Sequence, residues 1–427
     1  MLTAVAISAC GGGDEPRSSP PATSTGTAEL TPPPRGLGIG LDEESAALLW
    51  TPTARAELPG GFGPFRDQLL TLRPSVYRLD IVWSKVQPER DAPPDWASPV
   101  SGCLREVPPC APYQGVRDQL RALRSQLEAG RTFDVLIVFF GAPAWATRRT
   151  EGCVAEGAGP DAFALTEEGL ASYRRLADSL LELAAAERVP LRYWSPWNEP
   201  NQPAFIAPQR TDCSVGAPAV SPQIYAERAR ELKATLQAAP GEQELVLGET
   251  AGYEEPRPTA AGAAEFARAL PSDVVCAGRI WDQHAYVGTA GAGETEADLG
   301  ADPVRSGARR LLDDLVRALD EHGCPDPKRI WITETGAGGP HPGGPRPNDD
   351  ASLREGCRAM HEALRSWHRN PRVDLAVQYT FREDNRFPVG LVDTGLTRAY
   401  PTFDLWKAWS ARPNPADPPP ALPASCR

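Results

Sequence analysis

Between residue 36 and about residue 410 the chain alternates short β-patterned runs with longer stretches of helical period. The β-like runs are GLGIGLD (36–42), SVYRLDIV (75–82), FDVLIVFF (133–140), LRYWSPW (191–197), ELVLGET (244–250), GRIWDQHAY (278–286), RIWITE (329–334) and DLAVQYTF (374–381). Side chains alternate across a strand, so in YRLDIV Tyr77, Leu79 and Ile81 share one face while Arg78 and Asp80 share the other. The same rule puts Asp282, His284 and Tyr286 on one face of WDQHAY. Between the strands, Val116, Leu120, Leu123 and Leu127 recur at helical spacing, as do Leu353, Cys357, Met360 and Leu364. Each set is the packing stripe of a helix. Strands that alternate with helices pair in parallel, and the economical closed solution is an α/β fold, a single (β/α)8 TIM barrel over residues 36–410. An open doubly wound sheet would carry a glycine-rich phosphate turn after its first strand, and GLGIGLDEES opens no such helix.

The pattern fails at both ends. Residues 11–35 are rich in Gly, Pro, Ser and Thr and hold too little apolar surface to offset the entropy of ordering, so they are expected to be a disordered tether. Residues 411–427 are too proline-rich for a helix and are expected to lie extended over the surface. Residues 1–10, MLTAVAISAC, form a short apolar run that ends in small residues before Cys10 and resembles a bacterial lipobox. That resemblance implies acylation of Cys10 and an exported, lipid-anchored protein. A basic leader region is missing, so the natural start is expected upstream.

Charge and cysteines narrow the partner and the compartment. A net charge of −12, from 56 acidic and 44 basic residues, disfavours nucleic acid and anionic membrane surfaces and suits a neutral ligand. No apolar run reaches the roughly 18 to 20 residues of a spanning helix. Setting Cys10 aside leaves cysteines at 103, 110, 153, 213, 276, 324, 357 and 426, an even set compatible with disulfides in an oxidising compartment. No CxxC pair is present, so no zinc cluster is expected. Cys103 and Cys110 bracket a short proline-containing loop and are the expected bridge. Cys153 with Cys213, Cys276 with Cys324 and Cys357 with Cys426 are further pairings among the many that the set allows.

The candidate chemistry lies in two glutamates. In a barrel of this kind the site forms at the C-terminal ends of the strands. Glu199, in WNEPN after the fourth strand, is followed by Pro200, which cannot continue a β ladder. Glu334 ends the seventh strand in RIWITETGAGG. A pair of carboxyls at one mouth is what glycoside hydrolysis requires, one to protonate the departing oxygen and one to attack the anomeric carbon. A negative neighbour favours the protonated form of its partner, which separates the two roles.

On these motifs the chain resembles clan A of the glycoside hydrolases, retaining (β/α)8 enzymes with catalytic glutamates after strands four and seven. WNEPN (197–201) matches the clan's acid/base motif and WITETG (331–336) its nucleophile motif. The resemblance implies that Glu199 is the acid/base, Glu334 the nucleophile and Asn198 a ligand of the sugar 2-hydroxyl. It further implies that Arg78 lies beneath the nucleophile, that His284 contacts the sugar, and that Tyr286 donates to the nucleophile. GAPAWA (141–146) puts Trp145 at the cleft as a sugar-stacking surface. The texture is most similar to the family of β-xylosidases, iduronidases and exopolysaccharide endoglycosidases, family 39. Two features depart from the clan: Pro196 sits within strand four, and AVQYTFRED lacks the usual tryptophan after strand eight, with Tyr379, Phe381 or Arg382 as substitutes. No cofactor and no metal is expected. A metal-dependent hydrolase would need several ligands at strand ends, and the sequence offers only His284 there. Glu249, Asp282 and Asp384 are expected in supporting or subsite positions, and His322, His341, His361 and His368 on the surface. The expected activity is a retaining β-glycosidase acting on an oligo- or polysaccharide, with a non-catalytic glycan-binding surface lipoprotein as the alternative.

Overall fold

The computed structural model describes residues 36–98, 108–111, 115–287, 306–338, 345–385 and 387–427. The expected lipobox and tether of residues 1–35, the expected bridge partner Cys103, and His341 lie outside the described residues. Eight strands close a barrel: β1 (Gly38–Asp42), β2 (Val76–Val82), β3 (Asp134–Phe140), β4 (Tyr193–Ser195), β5 (Glu244–Thr250), β6 (Ile280–His284), β7 (Arg329–Thr335) and β8 (Val373–Tyr379). Each pairs in parallel with its sequence neighbours, and β8 returns to β1. One main helix follows each strand: α1 (Phe62–Leu69), α2 (Val116–Glu128), α3 (Glu167–Glu187), α4 (Ser221–Ala238), α5 (Ala263–Ala269), α6 (Ser306–Asp320), α7 (Asp350–Arg369) and α8 (Pro401–Ser410). The fold is the (β/α)8 barrel that the alternating pattern predicts. Among the described residues no helix is long and apolar enough to cross a membrane.

The two-residue period sorts the core into two layers. Val76, Leu136, Val138, Tyr193, Val246, Ile280, Trp331, Leu375 and Val377 fill the barrel interior. The alternate positions, such as Tyr77, Leu79 and Ile81 on β2, pack outward with the helices. Burying each large apolar side chain contributes roughly 1.5–3 kcal/mol, so this division fixes the register of every strand.

Two strands break the period where they reach the mouth. On β7, Ile330 and Ile332 face the helices and Trp331 the interior, so strict alternation would turn Glu334 outward. Instead Ile332 pairs with Gln283 and Glu334 with the next residue, His284, which inserts one extra residue into β7. On β5, Leu247 pairs with Trp281 and Thr250 with Gln283, again one residue too many. Such bulges re-aim a side chain. Here they turn Glu334 and Glu249 into the barrel mouth. Gly248 makes the β5 bulge possible: its φ is +113°, and a Cβ there would lie 2.4 Å from the Asp282 carbonyl oxygen.

Three disulfides join Cys153 to Cys213, Cys276 to Cys324, and Cys357 to Cys426. Cys110 is disulfide-bonded as well. The last bridge fastens the C-terminal segment to α7, and the segment is tied down further along its length. Arg412 Nη1 donates to the carbonyls of Pro415 (3.1 Å) and Asp417 (3.0 Å), and the Leu37 N–H donates to Pro415 O at 3.1 Å.

Candidate active site

The WNEPN segment folds as it does because each residue has a separate task. Pro196 cannot donate to the ladder, and β4 accordingly stops at Ser195 instead of continuing to Trp197. The freed Pro196 carbonyl accepts the Tyr173 hydroxyl at 2.8 Å, and the Asn198 N–H regains a strand-like bond to Phe139 O at 2.9 Å. Trp197 is fully buried; its indole N–H donates to Phe205 O at 2.8 Å and the Arg228 guanidinium stacks 4.4 Å from its ring. Asn201 knots this loop to the one after β5: its amide donates to Ala251 O and Ala261 O and accepts the Ala251 N–H. Between these anchors Glu199 is held at a positive φ of 37°, with its side chain at the mouth.

Glu199 and Glu334 converge. One carboxylate oxygen from each, together with a ring nitrogen of His284, lie within 4.8 Å of one another. Three groups face the Glu334 carboxyl. Arg78 Nη2 stands 2.8 Å from its Oε1, the Tyr286 hydroxyl donates to Oε2, and His284 Nδ1 lies 3.3 Å from Oε2. Glu199 receives His284 Nδ1 on Oε1 at 2.9 Å and Gln202 Nε2 on Oε2. Asn198 Oδ1 takes Arg78 Nη2 at 3.0 Å, so one guanidinium aligns the nucleophile candidate and the amide beside the acid candidate.

Arg78 is fully buried and faces four carboxyls: Asp42, Asp80 (3.0 Å), Glu249 (3.3 Å) and Glu334 (2.8 Å). Burial alone would lower Arg78, but Asp80, Glu249 and Glu334 hold it well above its usual range. The carboxyls divide according to their share of this charge. Burial pushes Glu334 up to about 7, with His284 and Arg78 pulling down and Glu199 and Asp80 pushing up. Burial likewise raises Asp42, Asp80 and Asp282, and carries Glu44 up to about 8. Glu249 goes the other way: burial opposes its charge, but Arg78 and His284 bring it down to about 2.

The other expected residues are distributed as follows. Arg78 and Tyr286 both touch Glu334. His284 is 1% exposed with both ring nitrogens on carboxylates, which leaves a sugar hydroxyl no free ring nitrogen. Trp145 is half-buried, its ring edge-to-face with that of Trp83 at a centroid separation of 5.8 Å and its indole N–H on Pro88 O at 3.0 Å. Of the substitutes for the missing tryptophan, Phe381 packs into the core against Phe403 and Arg382 is buried with its Nε on Thr394 O. Tyr379 remains, half-buried, in an aromatic group with Tyr286 and Phe387. His361 is buried with its ring 6.3 Å from that of Trp409, which corrects the surface placement: it lies on the packed face of α7. Residues that the motifs do not reveal are Gln202, whose position in the loop after Glu199 becomes informative only once folded, and Phe140 with Phe205, half-buried and edge-to-face at 5.7 Å. Phe140 has the same parity as the interior residues Leu136 and Val138, the one sequence signal that pointed to it.

The Glu199, His284 and Glu334 grouping also offers donor types that could hold a small cation, more than the sequence placed there. The Arg78 guanidinium already neutralises Glu334 at 2.8 Å, and His284 Nε2 is committed to Glu249. A further cation there would share these carboxylates with the Arg78 guanidinium.

No family model and no curated protein sequence matches this chain. Solved structures do match its fold. An endo-β1,6-glucanase aligns over 90% of this chain and 78% of its own at 13% identity, with a TM-score of 0.53. A GH5_18 protein from Bifidobacterium longum subsp. longum, crystallised with Manβ1-4GlcNAc, aligns over 90% and 80% at 15% identity, TM-score 0.52. A conserved exported protein from Bacteroides fragilis aligns over 89% and 79% at 14% identity, TM-score 0.51. The chain has the barrel fold of glycoside hydrolases. None of these three is described as a family 39 member, so the nearer resemblance to that family gains no support.

Proposed function

We propose that the protein is a retaining β-glycosidase acting on an oligo- or polysaccharide. The observation that carries this reading is the approach of the Glu199 and Glu334 oxygens to within 4.8 Å. Retaining pairs stand about 5–5.5 Å apart, whereas inverting pairs leave about 6.5–9.5 Å for a water between them. In the first step a Glu334 oxygen bonds to the anomeric carbon as the glycosidic C–O bond breaks, and the departing oxygen takes a proton delivered by Glu199. In the second, water attacks that carbon, Glu199 accepts its proton, and the ester bond to Glu334 breaks. Arg78 and Tyr286 hold Glu334 for the attack, and Asn198, aligned by Arg78, is placed for the 2-hydroxyl. Tyr379 and Phe387 on one side and Phe140 and Phe205 on another supply aromatic faces for sugar rings. We assign the work to an extracytoplasmic setting: the disulfides favour an oxidising compartment, one structural neighbour is described as exported, and the lipobox-like run at Cys10 is the basis for a lipid anchor.

Changing Glu334 to Gln abolishes turnover of an aryl β-glycoside on this account, and azide rescues Glu334→Gly as a glycosyl azide of inverted configuration. Full activity in Glu334→Gln defeats the reading. A saturable binding isotherm on a glycan panel with no product formed favours a glycan-binding protein on the same barrel.

A further inference from the structure

Both oxygens of the acid candidate are engaged by protein nitrogens. Oε1 of Glu199 lies 2.9 Å from His284 Nδ1, and Oε2 accepts the Gln202 amide N–H. Behind it the His284 ring lies between carboxylates. Nδ1 faces Glu199 and, at 3.3 Å, Glu334; Nε2 faces Glu249. An ionised carboxylate only accepts, so a ring flanked this way on both nitrogens is matched by two N–H bonds. Glu249 itself is fully buried, turned inward by the β5 bulge at a positive φ of 48°, and anchored by Arg78 Nη2 at 3.3 Å and the Thr333 hydroxyl at 3.4 Å.

We propose that Glu249, His284 and Glu199 form a proton relay, in which the ring of His284 stores the proton that Glu199 delivers to the departing oxygen. Glu249 is the positioning residue that keeps the ring charged. The consequence for catalysis rests on the glycosidase reading; the charge of the ring does not. In the first step the Nδ1–H bond breaks as a Glu199 O–H forms, and that O–H breaks as the aglycone oxygen is protonated. The proton taken from water in the second step returns to Nδ1 by the same path. Esterification of Glu334 removes one of the two carboxylates on Nδ1, so the ring nitrogen, bare after the first step, then faces only Glu199, the group that passes water's proton back to it.

The charges around the ring support storage there. Glu199 faces it from the loop after β4, Glu249 from β5 and Glu334 from β7, against one opposing cation among the described residues, Arg78 on β2. Asp80 on β2, and Asp282 and Tyr286 on the β6 segment itself, complete the titratable surroundings, and burial raises all three toward their neutral forms. Burial would lower His284, but Glu334 and Glu249 carry it well above the usual imidazole range.

The test is the charge of one ring in the full chain. Two-bond proton–nitrogen correlation spectra of 15N-labelled protein resolve its five histidines, and His284→Asn identifies the signal of interest. An ordinary imidazole, with pKa about 6.5, is almost wholly neutral at pH 8.5. The relay predicts an imidazolium pattern for His284 at that pH in the wild type. It also predicts a midpoint at least about one pH unit lower in Glu249→Gln, a tenfold loss of proton affinity. A neutral His284 ring in the wild type, its proton on Glu199 instead, overturns the proposal. So does an unchanged midpoint in a folded Glu249→Gln. If that variant does not fold, the wild-type titration decides alone. In turnover, Glu249→Gln lowers kcat/KM at least tenfold more for an alkyl or sugar leaving group than for 2,4-dinitrophenolate, which needs no proton; equal losses count against the relay. An inactive wild type sinks the glycosidase reading and leaves the ring-charge result standing.

Discussion

Replacing Arg78 by Met tests how the mouth of the barrel tolerates so many buried carboxyls. The Met side chain fills much of the arginine stem but removes the one guanidinium that faces Asp42, Asp80, Glu249 and Glu334. Breaking a buried ion pair by removing one partner costs about 3–5 kcal/mol, because the remaining charge stays buried without its partner. Asn198 Oδ1 loses a donor at the same time, adding about 1–3 kcal/mol if no water replaces it. The loss of charge pairing depends on pH in a definite sense. Without Arg78 the folded-state pKa of each carboxyl rises, so the folded chain binds more protons than the unfolded one over a wider range, and stability falls as pH rises. Urea unfolding with disulfides intact should therefore show Arg78→Met less stable by about 3–5 kcal/mol at pH 8 and by clearly less at pH 5, where more of these carboxyls are protonated. A loss under about 1 kcal/mol, or one equal at both pH values, refutes the argument, since lost packing alone does not titrate.

Two other predictions concern the site and the scaffold. Glu334 must be ionised to attack, and burial pushes it up to about 7; kcat/KM on an aryl β-glycoside should fall about tenfold per pH unit below that value and level off above it, and a flat profile from pH 5 to 7 contradicts this. The Cys357–Cys426 bridge spans 69 residues, so Cys426→Ser should lower stability by up to about 4 kcal/mol by loop-entropy reasoning, with guanidinium unfolding as the check and an unchanged midpoint as the refutation.

The barrel was legible because its two periods are clean. β2 alternates without interruption, so Arg78 and Asp80 could be turned inward and Tyr77, Leu79 and Ile81 outward from sequence alone. The inward face of Asp282, His284 and Tyr286 on the β6 segment was legible for the same reason. Glu334 was found by motif, yet alternation from Trp331 would have aimed it at the helices; only a bulge, set by hydrogen-bond register, brings it round. Glu249 lacked even a motif, and its φ of 48° has no counterpart in side-chain patterning. The ends of β4 and β8 were each overrun by two residues, since apolar composition continues past the point where Pro196 and the turn after Tyr379 stop the ladder. His361 looked like a surface residue because isolated histidines carry no periodic signal, although its spacing from Cys357 and Leu364 already placed it beside the buried stripe of α7.

The central claim is that Glu199 and Glu334 work as a retaining pair, and the configuration of the first-formed product tests it most directly. Proton NMR of the anomeric region, recorded within the first minutes of hydrolysis of a β-linked aryl glycoside and before mutarotation, is predicted to show the β-anomer first. Initial appearance of the α-anomer would mean direct displacement by water across a wider gap, and would contradict the mechanism built on carboxyl oxygens within 4.8 Å of one another.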